Sequence, residues 1–286
     1  MIINRQPTAQ TGAMSVLAAL LESRTGQQIA ANRAWRIETA LKPVLKARGH
    51  ETLDQLVAEL LDDQTGIIAD MIVDALLNQE SSFFRDGQIL DTVVAAINAR
   101  ETPGSRRLRI WSAACSNGQE PLSLAMLFAD RFERTGMAEP EILATDVSEA
   151  AIQRARAARF SQFEIQRGLP VRQMIKWFDA VGSDWIANPD LVRKITFRRH
   201  NLVGDPPPCG RFDVVLCRNV LFYLSPTLRK RVFDLLAEVM RPGGLLVLGA
   251  GETVAGQTCA FIPSPDYRGL YERVVTPASA IETAAA

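Results

Sequence analysis

Soft metal ligands are scarce in this chain. Two histidines, His50 and His200, and four cysteines, Cys115, Cys209, Cys217 and Cys259, are all it has, with no Cys-x-x-Cys pair among them. A metal site is therefore not expected. Charge of one sign is lacking too: 32 lysines and arginines balance 32 aspartates and glutamates. That balance draws the chain neither to nucleic acid nor to an anionic membrane surface, and no concentrated basic, aromatic stretch suggests an RNA partner. No apolar run reaches membrane-spanning length, and Met1–Pro7 has no signal-peptide pattern. A cytoplasmic protein with reduced thiols and no membrane insertion is the expectation. Hydrophobic residues make up 47% of the 286, ample for the core of one large or two modest domains.

The most informative stretch is Leu108–Pro121. Leu108 to Ala114 is an apolar run that reads as a buried strand, followed by the small and polar Cys115, Ser116, Asn117 and Gly118. Glu120 and Pro121 then open an amphipathic run through Leu122, Leu124, Ala125, Leu127 and Phe128. Strand, tight turn and helix make the first unit of a doubly wound nucleotide-binding sheet. Gly118 can adopt backbone angles closed to other residues, and its small neighbours allow a ligand to approach the main chain. Glu120 at the helix start repels a phosphate and attracts a cation, such as the amino group of S-adenosylmethionine (SAM). Glu141–Asp146 is a second strand, ending in an acid 28 residues beyond Gly118. An acid there suits the ribose hydroxyls of an adenosine; a helix cap is the other reading, since a new helix begins at Val147–Glu149.

The rest of the chain is organised around that unit. Residues 1–11 read as a loose tail and 12–78 as a helical domain, with runs at Ser15–Glu22, Ala30–Arg48, Thr52–Leu61 and Ile67–Leu77. Pro43 is expected to kink or divide the second helix. That helix is basic through Arg33, Arg36, Lys42, Lys46 and Arg48, which reads either as a solvated face or as a dock for an acidic partner helix. Residues 79–105 form a linker and connecting helix, with one of Phe83 and Phe84 wedged between domains and a turn at Thr102–Ser105. From 106 to 275 strands at 108–114, 141–146, 195–200, 212–217 and 244–250 alternate with helices. Such alternation implies a largely parallel sheet covered on both faces. Phe261 and Tyr267–Val275 suggest a closing hairpin, Arg241–Gly244 a turn, and 276–286 a tail. Residues 159–194 are too long for a simple connection; their aromatic residues Phe160, Phe163, Trp177, Phe178 and Trp185 read as a small core.

Trp111–Pro121, Ser82–Asp86, Ala144–Asp146, Cys217–Tyr223 and Arg241–Leu245 together resemble the CheR family of chemotaxis receptor methyltransferases, in the family's order and over about residues 12–275. The resemblance implies an α/β fold: a Rossmann-like SAM-dependent methyltransferase domain with a small inserted β-rich subdomain, preceded by an all-α domain. It implies transfer of a methyl group from SAM to receptor glutamates, with S-adenosylhomocysteine as product. Methyl-accepting chemotaxis receptors are then the partners, through their cytoplasmic helices and, in some members, a C-terminal tail peptide held by the inserted subdomain. Ser81 and Arg85 are implied in the cofactor pocket, with Gln79 at a position often Asn. Asn201 and Leu202 are implied beside the adenine, and Arg218 and Asn219 along the SAM site. Arg85 and Tyr223 are the implied catalytic pair, Tyr223 orienting the acceptor carboxylate. Read without the resemblance, Asn201 is also a turn former, Arg218 a paired arginine, Arg85 a surface ion pair with Asp86 or Glu80, and Tyr223 a buried tyrosine with one hydrogen bond. Two departures stand out: Ala40 where the family often has Arg, and Ala250-Gly251 before Glu252 where it commonly has His-Ser. They leave open a CheR-like enzyme with another acceptor, or a non-catalytic SAM-binding signalling module.

Overall fold

The computed structural model describes residues 9–30, 33, 35–101 and 106–274. The chain divides into two units: one runs to Asn78 and takes in Tyr223–Ser225, the other comprises Gln79–Phe222 and the residues from Pro226 on. The turn expected at 102–105, the tail expected at 276–286 and residues 1–8 lie outside the described residues.

The first unit contains α1 (Ala9–Thr25), α2 (Trp35–Arg48), α3 (Leu53–Asp62) and α4 (Ile67–Leu76). Leu17, Leu21, Ile37, Leu41, Leu56 and Ile72 are buried, each from the apolar stripe of its helix. Thr52 and Gln55 form a reciprocal capping box at the start of α3. Asp63 ends α3 and accepts the Ile68 amide at 2.7 Å, opening α4. Two details differ from the sequence reading. Residues 9–11, expected in a loose tail, belong to α1, and α2 starts at Trp35 and runs through Pro43 undivided. Ile37 and Leu41 before the proline and Val44 after it are all buried, so packing of that stripe holds the helix together across the missing hydrogen bond. Tyr223–Ser225 joins this unit through the Gln28 amide, which donates to the Tyr223 carbonyl at 2.8 Å.

The second unit runs, in order, through α5 (Gly87–Arg100), β1 (Arg109–Ala113), α6 (Gln119–Thr135), β2 (Glu141–Asp146), α7 (Glu149–Ala157), β3 (Arg159–Ser161), α8 (Gln162–Gln166), α9 (Val171–Trp177), β4 (Phe178–Val181), β5 (Asp184–Ala187), α10 (Pro189–Val192), β6 (Ile195–Arg199), β7 (Phe212–Cys217), α11 (Pro226–Val239), β8 (Met240–Leu248), β9 (Phe261–Pro263) and β10 (Leu270–Arg273). A seven-stranded sheet has the order β6-β2-β1-β7-β8-β10-β9. Its strands are parallel from β6 to β8, and β10 runs antiparallel to both neighbours. The fold is therefore α/β, with a doubly wound sheet whose order reverses beside β1. Every residue of β7 is buried, as expected for a central parallel strand covered on both faces. Arg241–Gly244, expected as a turn, is folded into the start of β8. Phe212 pairs with Met240 and Val214 with Leu245, so one residue faces four and the excess is absorbed as a bulge.

Residues 159–192 carry a separate antiparallel sheet, β3-β5-β4, and three short helices. Phe83 is buried edge-on against Phe160 at 5.0 Å and Phe178 at 5.5 Å, within the second unit. Aromatic pairs in this geometry stabilise by roughly 0.5–1.5 kcal/mol beyond their buried area. Phe163 is instead exposed, so the aromatic content of the insertion is only partly its core.

Candidate active site

Strand register brings the site residues into one row. Ala113 lies opposite Thr145 and Cys217, Asp146 opposite Arg199, and Cys217 opposite Leu248. The residues that follow these strands, from Ala114, Val147, His200, Arg218 and Gly249 respectively, therefore share the carboxyl edge of the sheet. That edge is where open α/β sheets take their ligands.

Arg218 anchors the row. Its buried guanidinium donates to Glu120 Oε2 at 3.0 Å, to the Arg85 carbonyl at 3.1 Å and to Asp86. Glu120 Oε1 accepts from Ser112 Oγ at 2.7 Å. Two carboxylates thus share one arginine, and the chain Asp86–Arg218–Glu120–Ser112 has surplus negative charge. Asp146 adds to it. One of its oxygens accepts the Ser116 amide at 2.8 Å and the other the Ser148 amide at 3.0 Å, so this buried acid ties together the turns after β1 and β2. Burial, with the charges of Asp146 and Glu120, pushes the Cys115 thiol well above its ordinary range. Burial, with Glu252 and Glu120, does the same to Cys217. Both thiols are protonated at neutral pH and unsuited to act as nucleophiles.

Residues 79–86 are fastened across this edge. The Gln79 carbonyl accepts from Ser116 Oγ at 3.0 Å, and the Phe84 amide donates to Ser123 Oγ at 3.0 Å. Arg218 holds the other end through Arg85 and Asp86. Backbone strain gathers here. Among the described residues six other than glycine have positive φ, and five of them, Phe84, Asp86, Ala114, Ser116 and Asn219, lie in this segment or in the turns after β1 and β7. Such conformations persist only where surrounding contacts enforce them, and they cluster at functional sites.

Each residue singled out from sequence has a definite place. Glu120, Asp146, Arg218 and Asn219 stand at the carboxyl edge, with Gln79, Ser81 and Arg85 on the fastened segment. Arg85 is exposed and forms no ion pair among the described residues; Asp86 pairs with Arg218 and Glu80 with Arg167. Asn201 builds a turn, its Oδ1 accepting the Val203 amide at 3.1 Å, and Leu202 sits half-buried within it. Tyr223 is not among the residues brought together in this unit; its hydroxyl accepts from Asn78 within the first. Gly118 takes the left-handed backbone expected of it, at φ 90°. A Cβ there would lie 2.9 Å from the Ala155 Cβ, so its bareness also admits helix α7. Sequence reasoning gave no role to Ser112, Ser123 or Glu252 and took Asp86 only as a surface partner for Arg85. Of the first three only Ser112, a polar residue inside an apolar strand, left a signal.

A cavity of about 580 Å³ adjoins the row, lined among others by Asp86, Gln88, Leu248, Ala250, Glu252 and Tyr271. Among the described residues no cluster of His, Cys, Asp and Glu has the makings of a metal site, and no helix is long and apolar enough to cross a membrane.

Comparison with known proteins places this arrangement among relatives. The model of a family described as "CheR methyltransferase, SAM binding domain" matches residues 79–268. Chemotaxis protein methyltransferase Cher2 of Pseudomonas putida is 33% identical over 244 residues, 82% of this chain and 88% of that protein. Chemotaxis protein methyltransferase 1 of Pseudomonas aeruginosa is 32% identical over 254 residues, 86% of this chain and 92% of that protein. The chemotaxis protein methyltransferase of Vibrio parahaemolyticus is 30% identical over 244 residues, 84% and 89% of the two chains.

Proposed function

The chain belongs to the CheR methyltransferase family, and on that premise we propose that it methylates glutamate side-chain carboxylates of methyl-accepting chemotaxis receptors, using SAM and releasing S-adenosylhomocysteine. The observation that carries the reading is the carboxyl edge of the sheet, where Glu120 and Asp86 share the buried Arg218 and Asp146 is buried in the neighbouring turn. Surplus negative charge suits a ligand bearing a sulfonium and an ammonium.

We assign Asp146 to the ribose, as an acid at the carboxyl edge of the sheet beside the turn after β1. Glu120 faces the cationic end of the cofactor, with Arg218 fixing its orientation. Asn201 and Leu202 border the adenine, and Gln79, Ser81 and Asn219 complete the pocket. When bound, the cofactor supplies an electrophilic methyl group. The acceptor is a carboxylate with an ordinary pKa of about 4.3, so it is ionised at neutral pH and needs no general base. The protein's task is alignment and exclusion of water, effects worth roughly 7–11 kcal/mol in favourable cases. Arg85, exposed and in no ion pair among the described residues, is placed to steer the acceptor without clamping the attacking oxygen, which would blunt its nucleophilicity. On the first unit, Arg33, Arg36, Lys42 and Lys46 are the basic residues offered to acidic receptor helices; Arg48 is already engaged by Glu59.

The cavity beside Ala250 and Glu252 favours one second reading, in which the acceptor is a different protein or a small molecule. Methyl-labelled SAM decides between them. Incubation with membranes carrying the host's chemoreceptors is expected to label receptor bands, and alkali to release the label as methanol. Alkali-stable label, or none while SAM binding persists, would overturn the glutamyl ester and turn attention to another acceptor.

A further inference from the structure

Glu252 has no part in the reading above, yet its carboxylate accepts three main-chain hydrogen bonds. Oε2 takes the amides of Asn219 and Gly249, each at 2.8 Å, and Oε1 takes the amide of Leu221 at 2.7 Å. The first and third amides belong to the turn after β7, the second to the turn after β8. Its own amide closes the second turn by donating to the Gly249 carbonyl at 2.9 Å. Asn219 sits at φ 61°, a conformation that costs a non-glycine residue energy unless its surroundings hold it. Its side chain lies against Gly249, where a Cβ would come within 2.8 Å of Asn219 Cγ and 2.9 Å of its amide nitrogen. The two turns therefore fit each other only with glycine on one side and a shared anchor between them.

We propose that Glu252 is a positioning residue for the cofactor: it clamps the turns after β7 and β8 so that Asn219 keeps the left-handed pose from which its side chain serves the pocket. The chemistry of the clamp is specific. Three donors converge on two oxygens, and a carboxylate is acceptor-only. Glutamine in its place turns an amide NH2 toward a backbone donor and leaves at least one buried N–H unpaired. Aspartate keeps the charge but is one methylene short of spanning both turns. The clamp rests on the assignment of Asn219 to the SAM pocket.

Calorimetric titration of the full chain with SAM, paired with thermal melts, tests it. Wild type is expected to bind. E252Q is expected to raise the Kd about tenfold, the scale of a lost charged hydrogen bond, and N219A by a similar factor. The double variant is expected to lose no more than the worse single one, because the clamp acts through Asn219. If E252Q fails to fold, E252D measured the same way is expected to give an intermediate loss. A Kd within about twofold of wild type in a folded Glu252 variant, or losses that multiply in the double variant, would overturn the clamp. Absence of binding by wild type would overturn the cofactor reading itself, and with it the clamp's role.

Discussion

The two ends of the β1–β7 strand pair both bury charge, and they do so to opposite effect. At the amino end Asp213 accepts from Arg106 and from the Arg109 amide at 2.9 Å, with Arg241 3.7 Å away. One acid is surrounded by donors and its charge is more than met. Left-handed backbone near that end falls on glycines, Gly210 and Gly243. At the carboxyl end one arginine, Arg218, is shared by two acids, and left-handed backbone falls on Ala114, Ser116 and Asn219. Each such residue costs roughly 1–3 kcal/mol. A buried ion pair by itself therefore marks only closure of the fold. Unmet charge and strained non-glycine backbone in the same place mark the end built to hold something.

Breaking each end in turn sharpens that contrast. The largest effect is expected from Arg218→Ala, which leaves Asp86 and Glu120 facing each other unpaired. Urea melts are expected to show a loss of about 3 kcal/mol, the low end for a broken buried pair because Asp86 is half open, and SAM binding is expected to vanish. A wild-type Kd in this variant would put the two ends on the same footing. Asp146→Ala comes next: its SAM Kd is expected to rise at least about tenfold, as for loss of a charged hydrogen-bond partner. Unchanged affinity by calorimetry would reject the ribose role and leave Asp146 as a fastener of two turns. Arg85→Ala removes an exposed side chain with no ion pair among the described residues, so stability is expected to move by less than about 0.5 kcal/mol. Its turnover in the labelling assay is expected to drop about tenfold or more; full turnover would sink the assignment. The smallest functional effect belongs to the amino end. Asp213→Asn is expected to cost about 1–2 kcal/mol of stability with SAM affinity unaltered, and any shift in Kd would break the comparison.

Much of the scaffold was legible beforehand because its signals are local. The apolar run 108–114, the helical run from Thr52 and the alternation of strands with helices each follow from residues a few positions apart. The errors came where tertiary packing overrules local preference. Pro43 sits inside an unbroken helix because its neighbours are held in a core, and Arg241–Gly244 enters a strand because its partner strand accommodates the bulge. At the site, Glu120 was legible as an acid at a helix start. Its engagement by Arg218, 98 positions away, was not. Nor was the pairing of Asp86 with Arg218 across 132 positions.

By itself, then, the sequence determined the type and order of the elements, and through its motifs which residues reach the carboxyl edge, since periodicity and turn chemistry act over single turns of chain. Only the tertiary structure decided how those residues spend their charges and hydrogen bonds: that Glu120 and Asp86 share one arginine, that Asp146 ties two turns while Glu252 ties two others, and that Gly118 makes room for a helix. Buried polar groups must find partners wherever the fold brings them, and those partners are chosen in space, by strand register, at distances along the chain that no local pattern encodes.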